Sequence, residues 1–171
     1  MTRFTGLDLR KWFKDEKRID KANSFGDMAY NSIITNSTRS TLEGDIREKL
    51  KNDKAFQSWR KKILKQYLKN PLIKKYLSVV KFGGENFFSI HGETEVKLSV
   101  RNATVVASFS ESNGAVNITY QLKDTFDLDY QPGRGGIYNG INSILKPIWV
   151  DGLGGSPGMQ VSSSWSETLK K

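Results

Sequence analysis

The chain has 171 residues, of which 37% are hydrophobic and 11% aromatic, the profile of about one folded domain. It has no cysteine and one histidine, His91, which excludes disulfide scaffolds, zinc fingers, iron–sulfur centres, cysteine nucleophiles and any all-histidine metal cluster. The net charge of +9 is uneven: residues 1–81 carry 20 Lys/Arg against 9 Asp/Glu, and residues 82–171 carry 7 against 9.

Residues 1–81 read as a basic helical region. Leu7, Leu9, Trp12, Phe13 and Ile19 are spread among charges, the pattern of one short helix or an ordered arm. Asn23-Ser24 is placed to cap a helix carrying Phe25, Met28, Ala29 and Ile33, which Asn36-Ser37-Thr38 breaks. Ser40-Thr41-Leu42-Glu43 has the Ser-x-x-Glu spacing of a capping box, so the next helix is expected to start there and to bury Leu42, Ile46 and Leu50. Phe56, Trp59, Ile63, Leu64, Tyr67 and Leu68 form the clearest amphipathic stripe. Lys61, Lys62, Lys65 and Lys69 fall on or beside its polar side, and Asn70-Pro71 ends the helix. Leu72 to Val80 reads as one further short helix.

At Phe82-Gly83-Gly84 the apolar period changes to two. Val96, Leu98 and Val100 alternate with Glu95, Lys97 and Ser99, as a half-buried strand would. Val105, Ala107 and Phe109 form a second such set, and Val116, Ile118, Tyr120 and Leu122 a third. Asn113-Gly114 between the last two favours the positive dihedrals of a tight hairpin. Residues 86–123 thus read as an antiparallel meander. A short helix is expected over 138–149, and Met159, Val161, Ser163 and Trp165 suggest a final strand. The expected fold class is α+β: a helical half, 1–81, then a mainly antiparallel β-rich activity half, 82–171, in one compact unit.

The densest polar cluster runs from Asp124 to Arg134. Asp124, Asp127 and Asp129 lie within six residues at the end of an alternating strand. Paired carboxylates suit a magnesium ion, with Asp124 and Asp127 as the candidate ligands. Arg134 suits a phosphate or a developing oxyanion. Strand alternation sets Asp127 and Asp129 on one face and Asp124 on the other, unless the backbone bulges. The bland alternative is a turn-capping aspartate and a surface ion pair. Tyr130 and His91 are further acid–base candidates, provided the fold brings His91 to this loop. Gly133-Arg134-Gly135-Gly136 lacks the Lys-Ser/Thr of a phosphate-binding loop. Ser162-Ser163-Ser164 has no flanking elbow glycines, and no second histidine exists to serve a serine hydrolase.

Around this cluster the sequence resembles the activity domains of colicin M-type bacterial toxins and related effectors. Asp124-Thr125-Phe126-Asp127 stands where that family has Asp-x-Tyr-Asp, and Arg134 stands at the spacing of its arginine. The resemblance implies magnesium-dependent cleavage of lipid II, the lipid-linked peptidoglycan precursor, between its undecaprenyl chain and its pyrophosphate. It also implies delivery to the periplasm of a target cell and an immunity partner. The sequence departs from the pattern at Phe126, in place of tyrosine, and at Gly133, in place of histidine. Those departures put the chemistry in doubt and leave Tyr130 or His91 as substitutes.

Three functions follow. The first is an antibacterial effector hydrolysing a lipid-linked phosphoester, its basic half resting on anionic phospholipid. The second is a toxin ribonuclease whose +11 half tracks phosphates, although its aromatics lie on the apolar stripe. The third is a non-enzymatic binding or membrane-interaction module. No apolar run reaches the roughly 18 residues of a membrane span, and residues 1–20 are charged throughout, without a signal-peptide pattern.

Overall fold

In a computed structural model, the residues described are 21–33, 39–83, 96, 99–100, 102–127, 152 and 158–170. They form an α+β arrangement of helices on a mixed sheet of six strands. In chain order the elements are β1 (Lys21–Ala22), α1 (Phe25–Ile33), β2 (Arg39–Leu42), α2 (Gly44–Asn52), α3 (Lys54–Lys69), β3 (Lys75–Lys81), β4 (Asn102–Ser112), β5 (Ala115–Asp127) and β6 (Gly158–Lys170).

The expected order, helices and then strands, is corrected: β1, β2 and β3 all come from the basic first half. The sheet runs β1-β2-β6-β5-β4-β3. Strands β3 to β6 pair antiparallel, whereas β2 lies parallel to β6 and β1 parallel to β2. The C-terminal strand therefore sits inside the sheet, where it joins both halves of the chain. The core is equally shared, with Leu42, Ile46, Phe56 and Tyr67 packed among Val105, Ile118, Leu122 and Val161.

Local chemistry explains the element boundaries. Helix α1 has the reciprocal start expected near Asn23-Ser24. Ser24 Oγ accepts from the Asp27 N–H at 3.1 Å, and Asp27 Oδ2 accepts from the Asn23 N–H at 2.8 Å. The capping box expected at Ser40–Glu43 does not form. Ser40 lies within β2 with Ser40 and Leu42 both buried, and α2 begins at Gly44 with no side-chain cap from Glu43. Pairing with β6 outweighs the local helix signal. Gly44 enables the switch: its φ is +55°, and a Cβ there would meet Asn23 Oδ1 at 2.5 Å.

Helix α3 carries the expected stripe, with Phe56, Ile63 and Tyr67 buried and Trp59 and Leu64 packed at its margin. Leu68 departs from the stripe and is exposed. The segment expected as a helix over 72–80 is instead strand β3. Its apolar residues at 72, 73, 76, 77 and 80 imitate helical spacing, but pairing with β4 along the whole of 75–81 decides the outcome. Conversely, the strand expected over 96–100 is helical where described. Val96 and Ser99 are helical and the Val100 N–H donates to the Val96 carbonyl at 2.8 Å. The hairpin at Asn113-Gly114 forms as expected, with φ of +49° and +73°.

The Phe56 ring ties α3 to the sheet. It meets Tyr120 and Trp165 edge-on, each at 5.1 Å, and stacks on Phe82 at 6.3 Å. At the other end of the helix Tyr67 stacks on Phe109 at 4.3 Å. Asp53, itself buried, fixes where the helix begins. Its Oδ1 accepts from the N–H groups of Ala55 and Phe56, and its Oδ2 accepts from the Gly83 N–H at 2.8 Å. One carboxylate thus caps α3 and anchors the chain just beyond β3.

Asp53→Ala should remove a cap worth about 1 kcal/mol and orphan the buried Gly83 N–H at about 1–3 kcal/mol. Thermal unfolding should show a Tm lower by about 5–15 °C at this chain length. Asp53→Asn keeps the cap acceptor and should lose less.

Candidate functional site

The acidic cluster is partly placed. Strand β5 pairs with β6 in unbroken register from Ala115 opposite Lys170 to Asp127 opposite Gly158, with no bulge. Position 124 therefore shares the helix-side register of Val116, Ile118, Tyr120 and Leu122, and position 127 belongs to the opposite face. Asp124 is half-buried and its Oδ1 accepts from the Thr125 N–H at 2.8 Å. The register thus keeps the alternation expected from the sequence, and the side chain of Asp127, the other candidate magnesium ligand, lies outside what is described. Among the described residues, no group of three or more His, Asp or Glu is placed to hold a metal. Asp129, Tyr130, Arg134 and His91 lie outside the described residues, as do the arm over 1–20 and the helix expected over 138–149.

A polar cluster not foreseen from sequence lies where α3 meets β5 and β6. Arg60 binds Glu167 through two bonds of 2.7 Å, one from Nε and one from Nη2. The Tyr120 hydroxyl donates to the same carboxylate at 2.5 Å. Burial pushes the Glu167 carboxyl up, but the bonds from Arg60 and Tyr120 outweigh it and hold it below the ordinary value. Burial and the Glu167 bond both raise the Tyr120 hydroxyl far above its usual value. Both carboxylate oxygens are occupied, which makes the cluster a clamp on α3, not a poised acid or base. Glu167 lies 107 residues from Arg60 and 47 from Tyr120 in sequence, so no local pattern announces it.

The surface with the most pronounced chemistry is on the other side of α3. From Lys54 to Lys81 the sequence has nine Lys/Arg and no Asp or Glu. Lys61, Lys62, Lys65 and Lys69 are exposed, as are Lys74, Lys75 and Lys81. The same stretch exposes large apolar side chains: Leu68 at 74%, Leu72 at 89%, Ile73 at 48%, Leu77 at 71% and Val79 at 62%. Leu77 and Val79 pair with Val106 and Thr104 on the sheet face turned away from α3. The exposed apolar side chains on the lysine-rich side are therefore Leu68, Leu72 and Ile73 at the end of α3, and apolar side chains exposed among like charges suit an interaction site. The clamp and the Phe56 cluster bury one side of α3 and leave its lysines on the other, with Leu72 and Ile73 exposed in the connection that follows. The acid-free run was legible in the sequence. The exposure of the leucines was not, because Leu68 and Leu72 read as core positions on helical spacing. Among the described residues, no helix is long and apolar enough to cross a membrane.

Glu167 titrates below its ordinary value in the folded chain. Its contribution to stability is therefore complete above the unfolded value of about 4.3 and is lost as pH falls through the folded value. Arg60→Gln should cost about 1–3 kcal/mol at neutral pH by leaving a half-buried carboxylate short of a charged partner. Melting curves against pH should show the gap from the parent chain closing below the ordinary glutamate range.

The chain matches no protein-family model, no curated protein and no solved structure.

Proposed function

We propose that this domain works at an anionic membrane surface, held by the exposed lysines of α3 and the apolar side chains at the helix end. The observation that carries the reading is the combination on one segment of nine cations and no acid with the exposed Leu68, Leu72 and Ile73 at the end of α3. Cations alone would suit nucleic acid, a solvated face or an acidic protein equally. Leu72, the most exposed of the apolar residues, stands with Ile73 in the connection between α3 and β3, just beyond Leu68 in the last turn of α3. Apolar side chains at a connection ringed by lysine are what an interfacial contact needs: methylenes for the acyl boundary and ammonium groups for phosphate headgroups.

The resemblance to colicin M-type toxins supplies a setting for such contact. A lipid-linked peptidoglycan precursor lies in the bilayer plane, and an antibacterial effector hydrolysing its phosphoester would work from that surface. The support for this enzymatic form is the sequence pattern from Asp124 to Arg134. The opposite-face register of positions 124 and 127 favours the other form, a membrane-interaction module without hydrolysis.

Two measurements separate these. Sedimentation with vesicles should show binding to phosphatidylcholine vesicles containing phosphatidylglycerol, weakening with salt, and little binding to phosphatidylcholine alone. Leu72→Ser should weaken it about tenfold, from the loss of one buried leucine, and Lys69→Glu about fivefold or more. Equal binding to neutral vesicles, or none to either, overturns the reading.

The second measurement is growth of bacteria expressing the chain in the cytoplasm or exported to the periplasm. Killing only from the periplasm, lost in Asp127→Asn, is the outcome expected of the enzymatic form. Killing from the cytoplasm would favour a nucleic-acid target.

A further inference from the structure

A small cavity lies on this same surface, between α3 and the edge strand β3. Its volume is about 160 Å³, and its polar lining is Lys62, Gln66 and Ser78, with Trp59, Ile63 and Tyr76 as walls and Leu77 at the strand. Each polar group here can donate a hydrogen bond, and no carboxylate lines the space. The Tyr76 hydroxyl is buried and has no hydrogen-bond partner. Ser78 Oγ reaches only the Val79 carbonyl, at 3.4 Å, a length at which little is gained.

The backbone adds a further donor. Among the described residues strand β3 is the sheet edge, and the Phe109 N–H donates to the Lys74 carbonyl at 2.8 Å. Hydrogen-bonded pairs of an antiparallel ladder recur every second residue. In this register they fall at 74, 76, 78 and 80, so the N–H of Leu77 faces the open edge.

We propose that this cavity is a phosphate-monoester site that takes the headgroup of an anionic lipid of the phosphatidic acid type. The inference rests on the membrane reading above. A lining with an ammonium group, several further donors and no carboxylate favours an oxyanion. A phosphate monoester brings a charge of about −1.5 to −2 and three terminal oxygens, against the single charge of a phosphodiester. Ligand pockets for larger molecules run to about 300 Å³ and above, so this cavity suits a phosphate without a bulky head. Its height is also suitable. Lys62 lies seven residues before Lys69, about 10 Å along the helix at 1.5 Å per residue. Apolar side chains of interfacial segments sink about 5–10 Å, so a bilayer that receives Leu72 brings its headgroups to the level of Lys62 and Gln66.

The test compares the full chain on phosphatidylcholine vesicles carrying either phosphatidic acid or phosphatidylglycerol, matched for surface charge. Phosphatidic acid should bind at least tenfold tighter. Lys62→Ala with Gln66→Ala should abolish that preference and still leave phosphatidylglycerol binding measurable. Lys61→Ala, outside the cavity, should weaken both equally. Binding to both vesicles with no preference, or a preference that survives the double substitution, overturns the site and leaves the membrane reading intact. Failure to bind either anionic vesicle overturns both. Inorganic phosphate, titrated while amide shifts of Gln66 and Ser78 are followed, distinguishes the source. A saturable shift with no vesicle preference assigns the cavity to free phosphate and overturns the lipid assignment.

Discussion

The docking of α3 onto the sheet is the constraint on which the rest depends. Phe56 fills the space between β5, β6 and the end of β3, and Tyr67 covers Phe109 two turns or more further on. Once those rings are seated, the helix has no rotational freedom. Its lysines must then face outward, because its opposite side is closed by aromatic contacts. Asp53 sets the phase of the arrangement. It starts the helix three residues before Phe56 and holds Gly83 with the same carboxylate. The Arg60–Glu167–Tyr120 clamp adds direction, since a bidentate guanidinium pair tolerates little rotation.

A consequence appears at the sheet edge. Strand β3 follows α3 after a short connection and, among the described residues, pairs with β4 alone, which leaves the other side of its backbone open there. An open edge invites pairing with another chain. Two copies pairing antiparallel about Ser78 would set Lys75 directly opposite Lys81, and like charges so placed are destabilising. The lysines that make the surface basic therefore also protect the edge. They do so without covering Leu77 and Val79, which remain available on the sheet face.

The same sheet face, turned away from the helices, changes character beyond β3. Thr119, Gln121, Ser164, Ser166 and Thr168 lie exposed across β5 and β6, and some bond to one another, as Thr168 does to Asn117 at 2.8 Å. Hydroxyls and amides that satisfy their neighbours hold a sheet face in water without inviting contact. The functional contrast in the described residues is thus between a mainly polar sheet face turned away from the helices and a cationic surface on α3, with Leu68, Leu72 and Ile73 exposed at its end.

The sequence by itself determined the elements whose local preference and tertiary role agree. The stripe of α3, the alternation of β4, β5 and β6, the start of α1 and the turn at Asn113-Gly114 were all legible. In each, the apolar period matches the face that is buried. It also determined the uneven charge and the acid-free run. Tertiary structure decided the rest, for two physical reasons. Short segments carry ambiguous periods: residues 72–80 read as a helix and 96–100 as a strand until ladder pairing or its absence fixed them. Ser40 likewise gave up a helix cap for a buried place beside β6, a partner more than 100 residues away in sequence. Long-range contacts also built the clamp on α3 and the cavity beside β3. Neither is a pattern along the chain, because each is assembled from residues that only folding brings together.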